Sequence, residues 1–131
     1  MLHQEFLDQP ADELLELLWS LREEGKASLD DLLVGTREPS ARETLERLIA
    51  ERMVRREGDR LVLTPDGEAR GRAIVRRHRL TERLLADVLD RPLDESEHAA
   101  CLMEHVLSPA LTDAVCSFLG HPPTCPHGLP I

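Results

Sequence analysis

Residues 39–67 read PSARETLERLIAERMVRREGDRLVLTPDG, and the order of patterns within them decides the fold. Pro39 and Ser40 open a helix, Ala41–Arg52, in which Leu45, Leu48 and Ile49 recur at helical spacing and face inward. Arg42, Glu43, Glu46, Arg47 and Glu51 lie around the rest of its surface. The period then changes. Met53–Arg56, a turn at Glu57-Gly58-Asp59 and the alternating Arg60-Leu61-Val62-Leu63 have the pattern of a small β-hairpin, and Thr64-Pro65-Asp66-Gly67 leads out of it. Upstream, Ala11–Glu24 carries Leu14, Leu15, Leu17, Leu18 and Leu21 as an apolar stripe, with Asp12 and Glu13 in the first turn, where carboxylates suit the helix dipole. Gly25 stops this helix, and Ser28 caps a short one, Leu29–Val34, which Gly35 ends. Helix, short helix, helix and hairpin is the order of a winged helix-turn-helix, whose third helix suits the major groove and whose hairpin follows the DNA backbone.

Downstream the pattern is helical. A long segment, Glu68–Leu89, breaks at Arg91-Pro92; a helix over Glu95–Leu107 ends near Ser108-Pro109; and a last one, Ala110–Leu119, stops at Gly120. The tail from His121 to Ile131 holds too many prolines to be helical. The expected architecture is mostly α, with an N-terminal winged helix-turn-helix over 1–67 and a helical C-terminal domain over 68–131.

A chain of 131 residues with 41% hydrophobic and 31% charged residues has the balance of a globular domain, not of a disordered one. Gln4, Glu5 and Asp8 give the N-terminus neither a basic start nor an apolar stretch, and no run is long enough to span a bilayer, so a cytoplasmic protein is expected. Phe6, Trp19 and Phe118 are the only aromatics, too few for stacking platforms against single strands. The net charge of −9 hides a segregation. Arg37–Arg83 holds 13 basic and 9 acidic residues, leaving 3 basic and 16 acidic elsewhere. A basic block between acidic ends fits a DNA-touching surface joined to a carboxylate-rich site.

The chemistry concentrates in Glu97-His-Ala-Ala-Cys101-Leu-Met-Glu104-His105. On one helix, positions 97, 101, 104 and 105 fall on one side, and carboxylate, thiolate and imidazole together suit a divalent transition metal. His78 and Glu82 are i, i+4 on the preceding helix; Glu13 and Glu16 are i, i+3 on the first. Singly, each piece is ordinary: a cysteine packs like a small hydrophobe, His78 stands among arginines, and Glu13 and Glu16 read as surface carboxylates. Their conjunction points to a metal. Cys101, Cys116 and Cys125 cannot form a complete intramolecular disulfide set; Cys116 reads as core, and Cys125-Pro-His127 invites a metal reading without fixing one.

Three runs carry a resemblance to a known family: Arg77-His-Arg-Leu-Thr-Glu-Arg-Leu-Leu85, Ala100-Cys-Leu-Met-Glu-His-Val-Leu-Ser108 and Leu119-Gly-His-Pro-Pro-Thr-Cys-Pro-His-Gly128, with Thr64-Pro65-Asp66-Gly67 matching the turn after the wing. The sequence resembles the iron- and manganese-dependent repressors of the diphtheria-toxin-repressor family, over most of the chain from about Asp12. The resemblance implies a metal-activated repressor that binds operator DNA as a homodimer, with a helical metal-binding and dimerisation domain. It also suggests the shorter, two-domain members, which lack the SH3-like domain of the iron type. It places Cys101, Glu104 and His105 in the primary site and His78 and Glu82 in a neighbouring one. Glu97 stands where the iron type has a histidine, and His98 is one residue off. Glu13 falls where the iron type has methionine and the manganese type aspartate, and Glu16 matches a further acidic ligand. The mixed donor set favours Fe²⁺, with Mn²⁺ next. A cation held by both the first helix and the Cys101–His105 run would fix the spacing of the two recognition helices in a dimer.

For DNA, Pro39, Ser40, Arg42 and Glu43 at the start of the third helix and Arg55, Arg56 and Arg60 on the hairpin are the candidate contacts. No enzyme is expected. Three other readings of the residues stay open: a metal-binding dimer that has lost operator recognition and serves as a buffer or protein-partner adaptor, a hydrolytic metal centre, and a winged-helix regulator with no metal.

Overall fold

The computed structural model describes residues 8–131; Gln4, Glu5 and Phe6, used above, lie outside the described residues. The chain is mostly helical with one two-stranded sheet, in the order α1 (Gln9–Glu23), α2 (Leu29–Gly35), α3 (Ala41–Ala50), β1 (Val54–Glu57), β2 (Arg60–Leu63), α4 (Pro65–Arg83), α5 (Leu93–Met103) and α6 (Pro109–Phe118). One π-helical turn, Leu84–Val88, follows α4. No described helix is long and apolar enough to cross a membrane. The chain divides into two compact units, residues 1–73 and 74–131.

In the N-terminal unit, α1 buries Ala11, Leu14, Leu15 and Leu18, the inner face of the stripe, while Leu17 and Leu21 are half-buried. Gly25, at φ 73°, turns the chain out of it. Ser28 caps α2 by accepting the Asp31 N–H at 3.0 Å. Helix α3 buries Ala41, Thr44, Leu45 and Leu48 and ends two residues earlier than its pattern suggests, because Arg52 adopts φ 61° to enter the hairpin. Strands β1 and β2 pair antiparallel with Val54 opposite Leu63 and Glu57 opposite Arg60. Glu57 is therefore in the ladder, and the loop is only Gly58-Asp59, with the positive φ on glycine alone, as a type II′ turn requires. The linker before α2 adds a third edge through a bridge between Ser28 and Arg60, with Leu61 N–H donating to Ala27 O and Leu29 N–H to Asp59 O, both at 2.8 Å.

Helix α4 begins at Pro65, three residues before its expected start, because Thr64 Oγ1 accepts the Gly67 N–H at 3.1 Å and proline suits the first turn. Gly67 is required there: a Cβ would stand 1.9 Å from the Met53 carbonyl oxygen. Asp12 is not a solvated first-turn carboxylate. It is 1% exposed and bound to Arg70, with Nη2 at 3.0 Å. Arg47 likewise leaves the surface role expected of it and grips Asp8 with both terminal nitrogens, at 2.7 and 2.8 Å. These ion pairs link α1, α3 and α4 around the apolar core.

In the C-terminal unit the core is Ile74, Val75, Leu80, Leu85, Ala100, Leu107, Cys116 and Cys125. Helix α5 stops at Met103, short of the expected Leu107; the chain turns through 104–106, and Ser108, extended at ψ 159°, caps α6 by accepting the Leu111 N–H. The proline-rich tail folds into a tight loop closed by a bridge between Thr124 and Pro130. Arg79 donates to Pro130 O at 2.7 Å and Arg83 to Thr124 O at 2.8 Å, so two arginines of α4 hold the tail against it.

Candidate metal centre

Helix α4 presents His78 and Glu82 one turn apart, as their i, i+4 spacing requires, with His78 Nε2 3.2 Å from Glu82 Oε1. The other nitrogen, His78 Nδ1, stands 3.3 Å from Glu104 Oε2. Glu104 is the residue that ends α5, with the Ala100 carbonyl accepting its N–H at 2.9 Å. Its own carbonyl accepts a bond from the buried Arg77 at 3.0 Å, which fixes the main chain just where the side chain turns inward. Cys101, one turn earlier on α5, brings its sulfur into the same place: donor atoms of His78, Cys101 and Glu104 lie within 4.8 Å of one another.

The chemistry of this set fits a transition metal. Glu104 is 0% exposed, yet neither carboxylate oxygen receives a hydrogen bond. Its neighbours are the imidazoles of His78 and of His105, whose Nε2 is 3.5 Å from Glu104 Oε1. A buried carboxylate without a donor is costly unless a cation or proton sits beside it. Thiolate, imidazole and carboxylate are the donors that Fe²⁺, Mn²⁺ or Zn²⁺ accept, and imidazole nitrogens held by carboxylates are oriented for ligation.

A second group adjoins the first through Glu82. Its Oε2 lies 3.0 Å from His127 Nδ1, and Glu82, Cys125 and His127 bring donor atoms within 4.8 Å of one another. Sequence reasoning left the tail without a role. The Cys-x-His spacing was the available signal, but its partner, 43 residues upstream of Cys125, is supplied only by the fold. Cys116, expected in the core, is buried there.

Glu97 stands apart. It and His98 are exposed on α5, and neither joins a donor group among the described residues. Glu104 caps the end of α5 in helical conformation, and His105 follows in the turn after it, while Glu97 lies one turn before Cys101 on the same helix. In the N-terminal unit, Glu13 and Glu16 are half-buried on α1.

Pro39, Ser40, Arg42 and Glu43 are all exposed around the start of α3, and the Ser40 hydroxyl makes no cap bond. Arg55, Arg56 and Arg60 are exposed on the hairpin, where Arg55 pairs with Glu57 at 2.7 Å and Arg56 donates to Gly58 O. Glu43 and Glu46 share the exposed face of α3 with Arg42.

Residues 64–131 match the family described as "Iron dependent repressor, metal binding and dimerisation domain". The iron-dependent repressor IdeR of Mycobacterium tuberculosis is 36% identical over 121 residues, covering 89% of this chain and 53% of the relative. The diphtheria toxin repressor of Corynebacterium diphtheriae is 31% identical, covering 89% and 54%. A solved structure of a manganese-dependent transcriptional repressor in complex with manganese superposes with a TM-score of 0.81 at 30% identity, over 92% of this chain and 57% of that one. The chain thus spans about half the length of the curated relatives it matches.

Proposed function

The chain belongs to the diphtheria-toxin-repressor family of metal-dependent repressors, and from that membership we propose that it represses transcription by binding operator DNA as a homodimer when loaded with a divalent transition metal, Fe²⁺ before Mn²⁺. The observation that carries the reading is the His78–Cys101–Glu104 set, built on the fully buried Glu104 and lying inside the segment that matches the family's metal-binding domain. When bound, the ion supplies positive charge to the buried carboxylate. Cys101 and Glu104 would hold it as anionic donors, with His78 and His105 as neutral ones, and Glu82 would orient the His78 ring. Glu13 and Glu16 enter the proposal from the sequence resemblance, as further carboxylate donors.

The N-terminal unit has the element order of a winged helix-turn-helix, and the exposed Ser40 and Arg42 suit phosphate and a guanine edge. Homodimerisation is assigned to the C-terminal unit, where Leu102, Val106, Leu111 and Phe118 are 53–76% exposed. The relatives are named as repressors, and no catalytic step is proposed.

The test is a selection of random duplexes by metal-stripped protein reloaded with Fe²⁺ under anoxia or with Mn²⁺, followed by gel shift and metal analysis. Enrichment of one sequence that is bound only with metal, at one or more ions per chain, is expected. Equal binding in chelator would end the metal-activated reading. Because Glu43 and Glu46 lie beside Arg42, a second reading has support: a metal-binding dimer without operator recognition, which acts as a buffer or partner adaptor. Stoichiometric metal with no enriched duplex would select it.

A further inference from the structure

Helix α6 ends in a Schellman motif: Gly120 N–H donates to Ser117 O at 3.1 Å and His121 N–H to Cys116 O at 2.9 Å. In this motif the side chain just past the helix packs on the one five positions earlier, usually as an apolar pair. Here the pair is an imidazole and a thiol, with Cys116 Sγ 3.3 Å from His121 Nδ1. To reach that position His121 holds φ at 56°, a backbone conformation that a non-glycine side chain adopts at a cost. A third group completes the cluster. Arg76 of α4 is bound to Asp113 Oδ1 at 2.7 Å, and Asp113 stands one turn before Cys116 on α6.

None of these residues belongs to either metal-donor group, so the cluster needs its own account. An imidazole within hydrogen-bond reach, with a guanidinium anchored one turn away, is a setting that can make a cysteine nucleophilic. Cys116 keeps 8% of its surface against 1% for Cys125, and its neighbours Asp113, Ser117 and His121 are exposed. A small oxidant is the reagent suited to so little exposed surface. Leu111 and Phe118 lie on the other side of α6, since five residues at roughly 100° each carry Cys116 well round from Leu111. Covering that apolar side would leave the thiol open.

We propose that Cys116 is a hydroperoxide-reactive cysteine, with His121 as its base and Arg76 as the charge that favours the thiolate. The thiol proton passes to His121 Nδ1. The sulfur attacks one peroxide oxygen, so that an S–O bond forms as the O–O bond breaks. The sulfur loses two electrons to give the sulfenic acid, and the departing hydroxide takes the proton from His121 to leave as water.

The test uses the full chain, reduced and freed of metal, exposed to hydrogen peroxide with dimedone present, with the label located by peptide fragmentation in a mass spectrometer. Cys116 should label several-fold faster than Cys125, because only Cys116 has an imidazole in hydrogen-bond reach to take its proton. His121→Asn keeps a residue tolerant of positive φ. It should slow Cys116 by about the same factor and leave Cys125 unchanged. Equal rates at the two cysteines, or a Cys116 rate indifferent to His121→Asn, would overturn the proposal. The Cys125 rate within each sample reports any general loosening of the fold, since unfolding would accelerate both cysteines together.

Discussion

Replacing Glu104 by glutamine tests what the buried carboxylate is for. Both its oxygens are buried without a hydrogen bond, and its nearest partners are imidazole nitrogens at 3.3 and 3.5 Å. Burying an ion has an effective penalty of several kcal/mol, which two imidazoles at those distances offset in part. The amide keeps the shape and removes the charge, so the metal-free variant should be more stable than the wild type by about 1–3 kcal/mol. At this chain length that is roughly 3–5 °C in Tm for each kcal/mol. Metal reverses the order. At a hundred times its Kd, Mn²⁺ stabilises the wild type by about 2.7 kcal/mol, whereas the variant has lost an anionic donor and gains little. Thermal unfolding followed by circular dichroism, in chelator and in excess Mn²⁺, should therefore show the curves crossing. A variant that melts below the wild type in chelator, yet keeps its rise with Mn²⁺, would show that Glu104 is a structural acceptor and that the cation sits elsewhere.

Gly67→Ala should cost at least about 3 kcal/mol, because its Cβ would meet backbone at 1.9 Å and the start of α4 would have to move. Gly58→Ala, in open space at φ 64°, should cost about 1 kcal/mol; equal urea midpoints for the two would refute the close-approach argument. The Arg47 hydrogen bonds hold the Asp8 carboxyl below its ordinary 3.8, with burial opposing them. A lowered folded value means stability present above 3.8 that is lost as pH falls through the folded value. Arg47→Gln should therefore be less stable than the wild type near neutrality, and the gap should narrow as pH falls below about 5 and through the lowered folded value. A gap that stays constant over that range would mean that Arg47 contributes through packing alone.

The helices and hairpin of the N-terminal unit were legible because each is stabilised by a face whose period the sequence displays: Leu14, Leu15 and Leu18 on one, Leu45 and Leu48 on another, and Leu61 and Leu63 on β2. Periodicity reports faces, not partners. It does not show that Asp12 is buried against Arg70, or that Arg47 on its half-exposed face reaches back to Asp8, because these partners lie 58 and 39 positions away. The third edge of the sheet was missed for the same reason, since Ser28 pairs with Arg60 across 32 positions. In the C-terminal unit the Cys-x-x-Glu-His run drew attention to Cys101 and Glu104, whose donor atoms meet that of His78, whereas Glu97 on the same helix is exposed. Spacing also carried α5 to Leu107, but the chain turns at 104–106, and the apolar pattern alone does not show that turn.

The groups beside Glu82 and Glu104 support a cation site more strongly than the donor count does. Arg77 donates to the main-chain carbonyl of Glu104, and Arg79 and Arg83 to those of Pro130 and Thr124, which fixes the end of α5 and the tail. Imidazoles stand beside the two carboxylates: His78 and His127 at Glu82, His78 and His105 at Glu104. A guanidinium beside a carboxylate keeps its charge at every accessible pH and would exclude a metal. A neutral imidazole nitrogen is itself a metal ligand. A cation at these nitrogens and at the Cys101 sulfur competes with protons for the same atoms, so loading should release protons and acid should weaken it.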